Sequence, residues 1–108
     1  MAGPENHQDR TAPFSVVLVA SRWDGPAGEW VREWRRQSAD VELIVVDMSA
    51  ETDLVTRVPP AVKVVEGHRG TSSMAFNAGL EAVTAPRVLL QLDPHLPPAD
   101  FVQDIEQI

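Results

Sequence analysis

The chain alternates between short apolar runs and amphipathic stretches over most of its length. Runs rich in β-branched and aliphatic residues predict four strands, at 14–20, 41–47, 61–65 and 88–92. Apolar residues at helical spacing predict helices at about 25–37, about 72–83 and 99–108. A short helical or irregular segment is expected at 49–52, before Pro59 and Pro60. Because strands and helices alternate, we expect an α/β fold with a mainly parallel sheet and helices on both faces.

The helix patterns also predict which side chains face the sheet. On the first helix these are Trp30, Val31 and Trp34. On the second they are Met74, Ala75, Ala78, Leu80 and Val83. Asp24 is the expected N-cap of the first helix, and Thr71 or Ser72 that of the second. Gly79 costs about 1 kcal/mol relative to alanine in a helix interior, so we expect it where the helix approaches the sheet closely.

The fourth strand leads directly into polar residues. A nearly continuous apolar run such as 88–92 is typical of a strand inside a parallel sheet covered on both faces. In open α/β sheets, ligands bind outside the carboxyl ends of the strands, so Asp93 and His95 are predicted to border a site. The pair could bind a divalent cation, Mg²⁺ or Mn²⁺, with Mn²⁺ accepting the imidazole more readily. Alternatively, Asp93 caps the turn and His95 is a solvated loop residue.

Further candidate ligand contacts follow the other strands. Ser21 and Arg22 come after the first strand, and Arg22 is a candidate phosphate ligand. Asp47 ends the second strand, where it either accepts a hydrogen bond from a ligand or caps the next segment. The loop 66–70 runs into a helix N-terminus, where main-chain N–H groups and Arg69 could receive a phosphate; alternatively the loop is only a turn.

Composition narrows the classes of protein that fit. A chain of 108 residues with 44% hydrophobic residues is expected to form one domain, at 14–108, after a polar, flexible tail at 1–13. The chain has no cysteine, which excludes disulfides and thiolate metal sites. A net charge of −7 disfavours nucleic acid as a partner. With neither a membrane span nor a signal peptide expected, a cytoplasmic location is predicted.

Several segments together resemble the N-terminal half of family 2 glycosyltransferases. The likeness covers 14–107 and includes the strand Glu42–Asp47, the sequence Asn-Ala-Gly-Leu at 77–80, and a Leu-Asp-x-x-Leu-x-Pro-x-x-Phe frame at 92–101. Enzymes of this family have the GT-A fold and transfer a sugar from a nucleotide-diphosphate donor. The resemblance therefore implies a nucleotide-diphospho-sugar transferase-like half domain, with a divalent cation bridging the diphosphate.

The sequence departs from the family pattern at the positions that bind the donor. Val19–Arg22 stands where the family usually has Pro-Thr-Tyr-Asn, and Phe76 stands where a basic residue is common. Asp47 is retained, but Met48 replaces the acid that binds uracil in the family. Asp93–His95 replaces the family's Asp-x-Asp, whose last acid usually ligates the cation.

These similarities and departures lead to three expectations for function. The first is a glycosyltransferase-like protein that keeps the half binding a nucleotide-diphospho-sugar but lacks the acceptor half and its catalytic base, and is inactive alone. The second is a non-catalytic binding or scaffold subunit, with an exposed apolar patch and a protein partner or self-association. The third is another small-molecule binder that uses the same sheet edge.

Overall fold

The computed structural model describes residues 13–21, 23, 25–48, 58–67, 71–92 and 94–106. The secondary-structure elements in chain order are β1 Ser15–Ala20, α1 Gly25–Gln37, β2 Glu42–Asp47, β3 Lys63–Glu66, α2 Ser72–Leu80, β4 Val88–Gln91 and α3 Phe101–Glu106. All four predicted strands and the three longer predicted helices are present, and their bounds agree with the predicted ones to within three residues. The Asp24 cap, the segment at 49–52 and the tail up to residue 12 lie outside the described residues.

The four strands form one sheet in the order β3-β2-β1-β4, and every neighbouring pair is parallel. The predicted α/β class and the parallel sheet are therefore confirmed. Among the described residues, no helix has the length and apolarity needed to cross a membrane.

Helices cover the two faces of the sheet. Val16, Leu18 and Ala20 of β1 belong to a buried cluster with residues of α1 and α3. Val17 and Val19 alternate with them and belong to a second cluster on the α2 face. This alternation follows from the strand, which directs successive side chains to opposite faces.

Aromatic side chains dominate the packing on the α1 and α3 face. The ring of Trp34 lies 5.6 Å from that of Phe14 and 5.7 Å from that of Phe101, both in edge-to-face contact. Trp30 is fully buried, and its Nε1 donates a hydrogen bond to Oε1 of Gln91 at 2.7 Å. The predicted burial of Trp30 and Trp34 is confirmed, and Trp30 links α1 to β4.

The α2 face is packed by close approach instead of by large side chains. A Cβ atom on Gly79 would lie 2.5 Å from Cγ1 of Val17 and 2.9 Å from Cγ2 of Val46, so only glycine allows α2 to lie this close. The expected reason for Gly79 is confirmed. At the other end of α2, Oγ1 of Thr71 accepts a hydrogen bond from the Met74 N–H at 3.2 Å, which identifies Thr71 as the cap.

The predicted inward face of α2 was wrong at two positions. Ala75 is buried as expected, but Met74 is 54% exposed and Leu80 is 39% exposed. Because α2 approaches the sheet through its small residues Ala75 and Gly79, its larger apolar side chains lie on its flanks.

The prediction that β4 is covered on both faces was also wrong. β4 is the last strand in the sheet order, and Val88 and Leu90 are 40% and 44% exposed. The physical reason is the position of α2, which packs mainly over β1, β2 and β3, so that no helix among the described residues covers that face of β4.

The amino ends of three strands are joined by one carboxylate. Glu42 accepts hydrogen bonds from the Ser15 hydroxyl at 2.5 Å, from Nζ of Lys63 at 2.6 Å, and from both the N–H and the hydroxyl of Thr84 at 2.9 Å. Burial raises the pKa of Glu42, but the hydrogen bonds outweigh burial and lower that pKa to about 2. Glu42 is therefore an anchor that stabilises the edge opposite the predicted site.

Candidate ligand site at the carboxyl edge of the sheet

The carboxyl ends of the strands lie along one edge of the sheet. Asp47, the last residue of β2, is aligned with Ala20 of β1 on one side and with Glu66 of β3 on the other. β4 is parallel to them and ends with Gln91, which is aligned with Leu18. The residues that follow β1, β2 and β4 therefore emerge at the same edge, as predicted from the sequence.

The strand order also produces a switch point between β1 and β4. From β1 the chain passes through α1 on one face to reach β2, whereas it enters β4 from α2 on the other face. Such a divergence of connections leaves a crevice outside the carboxyl ends of β1 and β4, which is the usual ligand position in open α/β sheets.

Three of the six predicted site residues lie in the described part of the chain. Ser21 is exposed immediately after β1, Asp47 is half-buried at the end of β2, and His95 is exposed after β4. The main-chain oxygen of His95 accepts a weak hydrogen bond from Nε2 of Gln91 at 3.4 Å.

The other three predicted residues, Arg22, Arg69 and Asp93, lie outside the described residues. Of the two residues predicted to bind a cation, His95 is therefore described by the structure and Asp93 is not. Within the described residues, no three histidine, aspartate or glutamate side chains are grouped so as to hold a metal ion.

An open pocket of about 420 Å³ lies beside His95, along β4. It is lined by Phe76, Leu89, Leu90, Gln91, Leu92 and His95. Of these residues, only His95 was predicted from the sequence to contact a ligand, and Phe76 was expected only to depart from the family pattern. The pocket can offer a ligand an aromatic ring, aliphatic side chains, one amide and one imidazole.

The side chain of Met48 occupies the space beside the carboxyl end of β2. It packs against the buried cluster on the α2 face. A Cβ on Gly67, at the end of β3, would lie 2.6 Å from Sδ of Met48 and 2.9 Å from the main-chain oxygen of Asp47, so Met48 occupies the space that a larger residue at 67 would need. Met48 therefore contributes packing at this edge, and an apolar thioether does not replace the hydrogen bonding of an acid.

Compared with protein families, with curated proteins and with solved structures, the chain shows no match.

Proposed function

We propose that this chain is a GT-A-like domain, similar to the donor-binding half of family 2 glycosyltransferases, that binds a nucleotide-diphospho-sugar at the carboxyl edge of its sheet. The observation that carries the proposal is the all-parallel order β3-β2-β1-β4, with Asp47 ending β2 and with Ser21 and His95 following β1 and β4 at the same edge. A switch point between β1 and β4 is the position where such folds bind nucleotides.

Each predicted residue has a role in this proposal. Ser21 and Asp47 offer a hydroxyl and a carboxylate to the nucleoside, and Arg22 and Arg69 offer cations to the diphosphate. Asp93 and His95 bind the divalent cation, for which Mn²⁺ suits the imidazole better than Mg²⁺ does. We assign no catalytic base, so the chain binds the donor but does not complete sugar transfer alone.

A second candidate function is a non-catalytic binding or scaffold subunit with the same fold. Two observations favour it: Met48 packs into the apolar cluster at the position where the family binds uracil, and β4 leaves apolar side chains exposed. Under this proposal, the sheet serves as a platform for a protein partner.

Ligand-dependent thermal stability distinguishes the two functions. With UDP-sugars and GDP-sugars tested separately in the presence of Mn²⁺, a ligand at 100 times its Kd should add about 2.7 kcal/mol to the free energy of unfolding. Asp93→Ala and His95→Ala should each abolish the part of the shift that depends on Mn²⁺. Asp104→Ala, at an exposed position on α3, is the matched control and should keep the full shift.

The absence of any shift with every donor at millimolar concentration, in a chain that unfolds cooperatively, would contradict donor binding and favour the scaffold function. A shift that survives both Asp93→Ala and His95→Ala would keep donor binding but refute the proposed cation site.

A further inference from the structure

The main-chain edge of β4 that points away from β1 has no role in the proposed ligand site. β4 is the last strand of the sheet in the part of the chain that the structure describes. Val88, Leu90 and the adjoining Leu92, which is 55% exposed, present three aliphatic side chains along it. An exposed apolar edge strand is a template for pairing with another strand.

The hydrogen bonds between β1 and β4 establish which main-chain groups face outward. The Ser15 N–H donates to the Arg87 oxygen at 2.9 Å, so the main chain at 87 faces β1. Because main-chain groups alternate in direction along a strand, Leu89 and Gln91 also direct theirs to β1. The N–H and C=O groups of Val88 and Leu90 are therefore directed to the open edge, as are those of Leu92 if the strand is extended by one residue.

From this geometry we infer that β4 pairs antiparallel with β4 of a second copy of this chain, about a two-fold axis at Leu90. In this register Leu90 lies opposite its own copy and Val88 lies opposite Leu92 of the other chain. Every outward-facing residue then meets another outward-facing residue, which is the arrangement of hydrogen-bonded antiparallel pairs. Two four-stranded sheets become one continuous eight-stranded sheet.

The neighbouring sequence fits this register better than its alternatives. Pro86 and Pro94 are equally distant from Leu90, so the paired segment 87–93 contains no proline. Moving the centre to residue 89 or 91 places Pro86 or Pro94 opposite an outward-facing residue, where proline has no N–H to donate.

Side chains across the two-fold axis are complementary as well. On the α2 face, Leu90 meets Leu90 and Val88 meets Leu92, and such aliphatic cross-strand pairs stabilise a sheet. The charges in the flanking sequence are also self-complementary, because Arg87 and Asp93 are equally distant from Leu90. This self-complementarity about one residue favours a second copy over an unrelated strand.

The surfaces beside the strand leave room for a partner. A pocket of about 200 Å³ lies at the start of β4, lined by Phe14, Arg87, Val88, Leu89 and Phe101. The larger pocket lies towards the end of the strand, beside Phe76. Open space therefore borders β4 near both of its ends.

Sedimentation of the full chain over a wide concentration range tests for the dimer. We expect a concentration-dependent species of twice the 11.9 kDa monomer mass. Leu90→Lys places two cations opposite each other at the axis and should raise the dimer Kd about tenfold or more. Met74→Lys is the matched control, because Met74 is also an exposed apolar residue but lies on α2, and it should leave the Kd unchanged. A monomer at every concentration would overturn the inference.

Cysteine cross-linking tests the register, because the chain has no cysteine of its own. Leu90→Cys should form a disulfide-linked dimer, since Cα atoms in a hydrogen-bonded antiparallel pair are about 5.5 Å apart, within disulfide range. Val88→Cys and Leu92→Cys should each cross-link poorly alone but efficiently when mixed. A dimer in which Leu90→Cys does not cross-link, or in which Val88→Cys links to itself equally well, would refute this pairing. Neither test depends on the proposed nucleotide site.

Discussion

β2 and β4 both flank β1 in the sheet, yet their surroundings differ sharply. Each is an apolar run that leads into an aspartate, Asp47 or Asp93. From Leu43 to Val46, β2 is buried throughout, whereas in β4 exposed and half-buried residues alternate. The sequence of a strand alone therefore does not determine how deeply the strand is buried.

The neighbouring elements cause this difference. β2 lies between β1 and β3 and is covered by helices on both faces. Within the described residues, helices cover β4 on one face, where Leu89 packs against the cluster that contains Trp34 and Phe101, and Gln91 accepts a hydrogen bond from Trp30. The face of β4 that carries Val88 and Leu90 is therefore accessible to a ligand or to another protein chain.

The largest expected effect comes from truncating β2. Ile44 is fully buried, so Ile44→Ala should lower the free energy of unfolding by about 3 kcal/mol through lost burial and a cavity. Urea unfolding at neutral pH measures this loss. If Ile44→Ala lowered the free energy of unfolding by less than about 1 kcal/mol, β2 would not be the closely packed strand that its burial indicates.

A smaller effect is expected at the polar start of β2. Glu42→Gln should cost about 2 kcal/mol at pH 7, because it removes a carboxylate that accepts charge-assisted and neutral hydrogen bonds. The low pKa of Glu42, about 2 against an ordinary 4.5, means that its contribution is fully present above pH 4.5 and is lost as the pH falls towards 2.

The free energy of unfolding, measured from pH 6 to 2, should therefore fall less steeply in Glu42→Gln than in the unmodified chain. Glu81→Gln changes an exposed residue after α2 and serves as the control. Equal slopes in the two variants would show that Glu42 is not the anchor of the amino edge.

The smallest effect is expected at the uncovered face of β4. Leu90→Ala removes a side chain that is already 44% exposed, so it should change the unfolding free energy of the monomer by only about 0.5 kcal/mol. The measurement requires a protein concentration well below the Kd of any dimer. A loss as large as that of Ile44→Ala would show that β4 is buried in solution and would remove the contrast between the two strands.

Most of the fold could be predicted from the sequence because local patterns determine it. The apolar runs specify the strands, the spacing of Trp30 and Trp34 specifies the buried face of α1, and alternation of helices and strands specifies parallel pairing. The lateral position of α2 over the sheet is a tertiary property. For that reason the exposure of Leu80 and Leu90 could not be predicted.

The candidate site was predictable only in part. The chain positions of Ser21, Asp47 and His95, at or after the ends of strands, were sufficient to predict that all three lie at one edge. No sequence pattern marked Phe76 as part of a pocket, because its place depends on how close α2 lies to β4. The Glu42 anchor was likewise hidden, since its partners are 21 to 42 residues away along the chain.

Gly79 has a consequence that reaches beyond its own contacts. Phe76 lies one helical turn earlier on α2 and forms a wall of the larger pocket, so the height of the helix above the sheet controls the depth of that pocket. Gly79→Ala would add a methyl group between α2 and the sheet, which would push the helix away from the sheet and move Phe76 with it. The shape of this pocket therefore depends on a residue that does not line it.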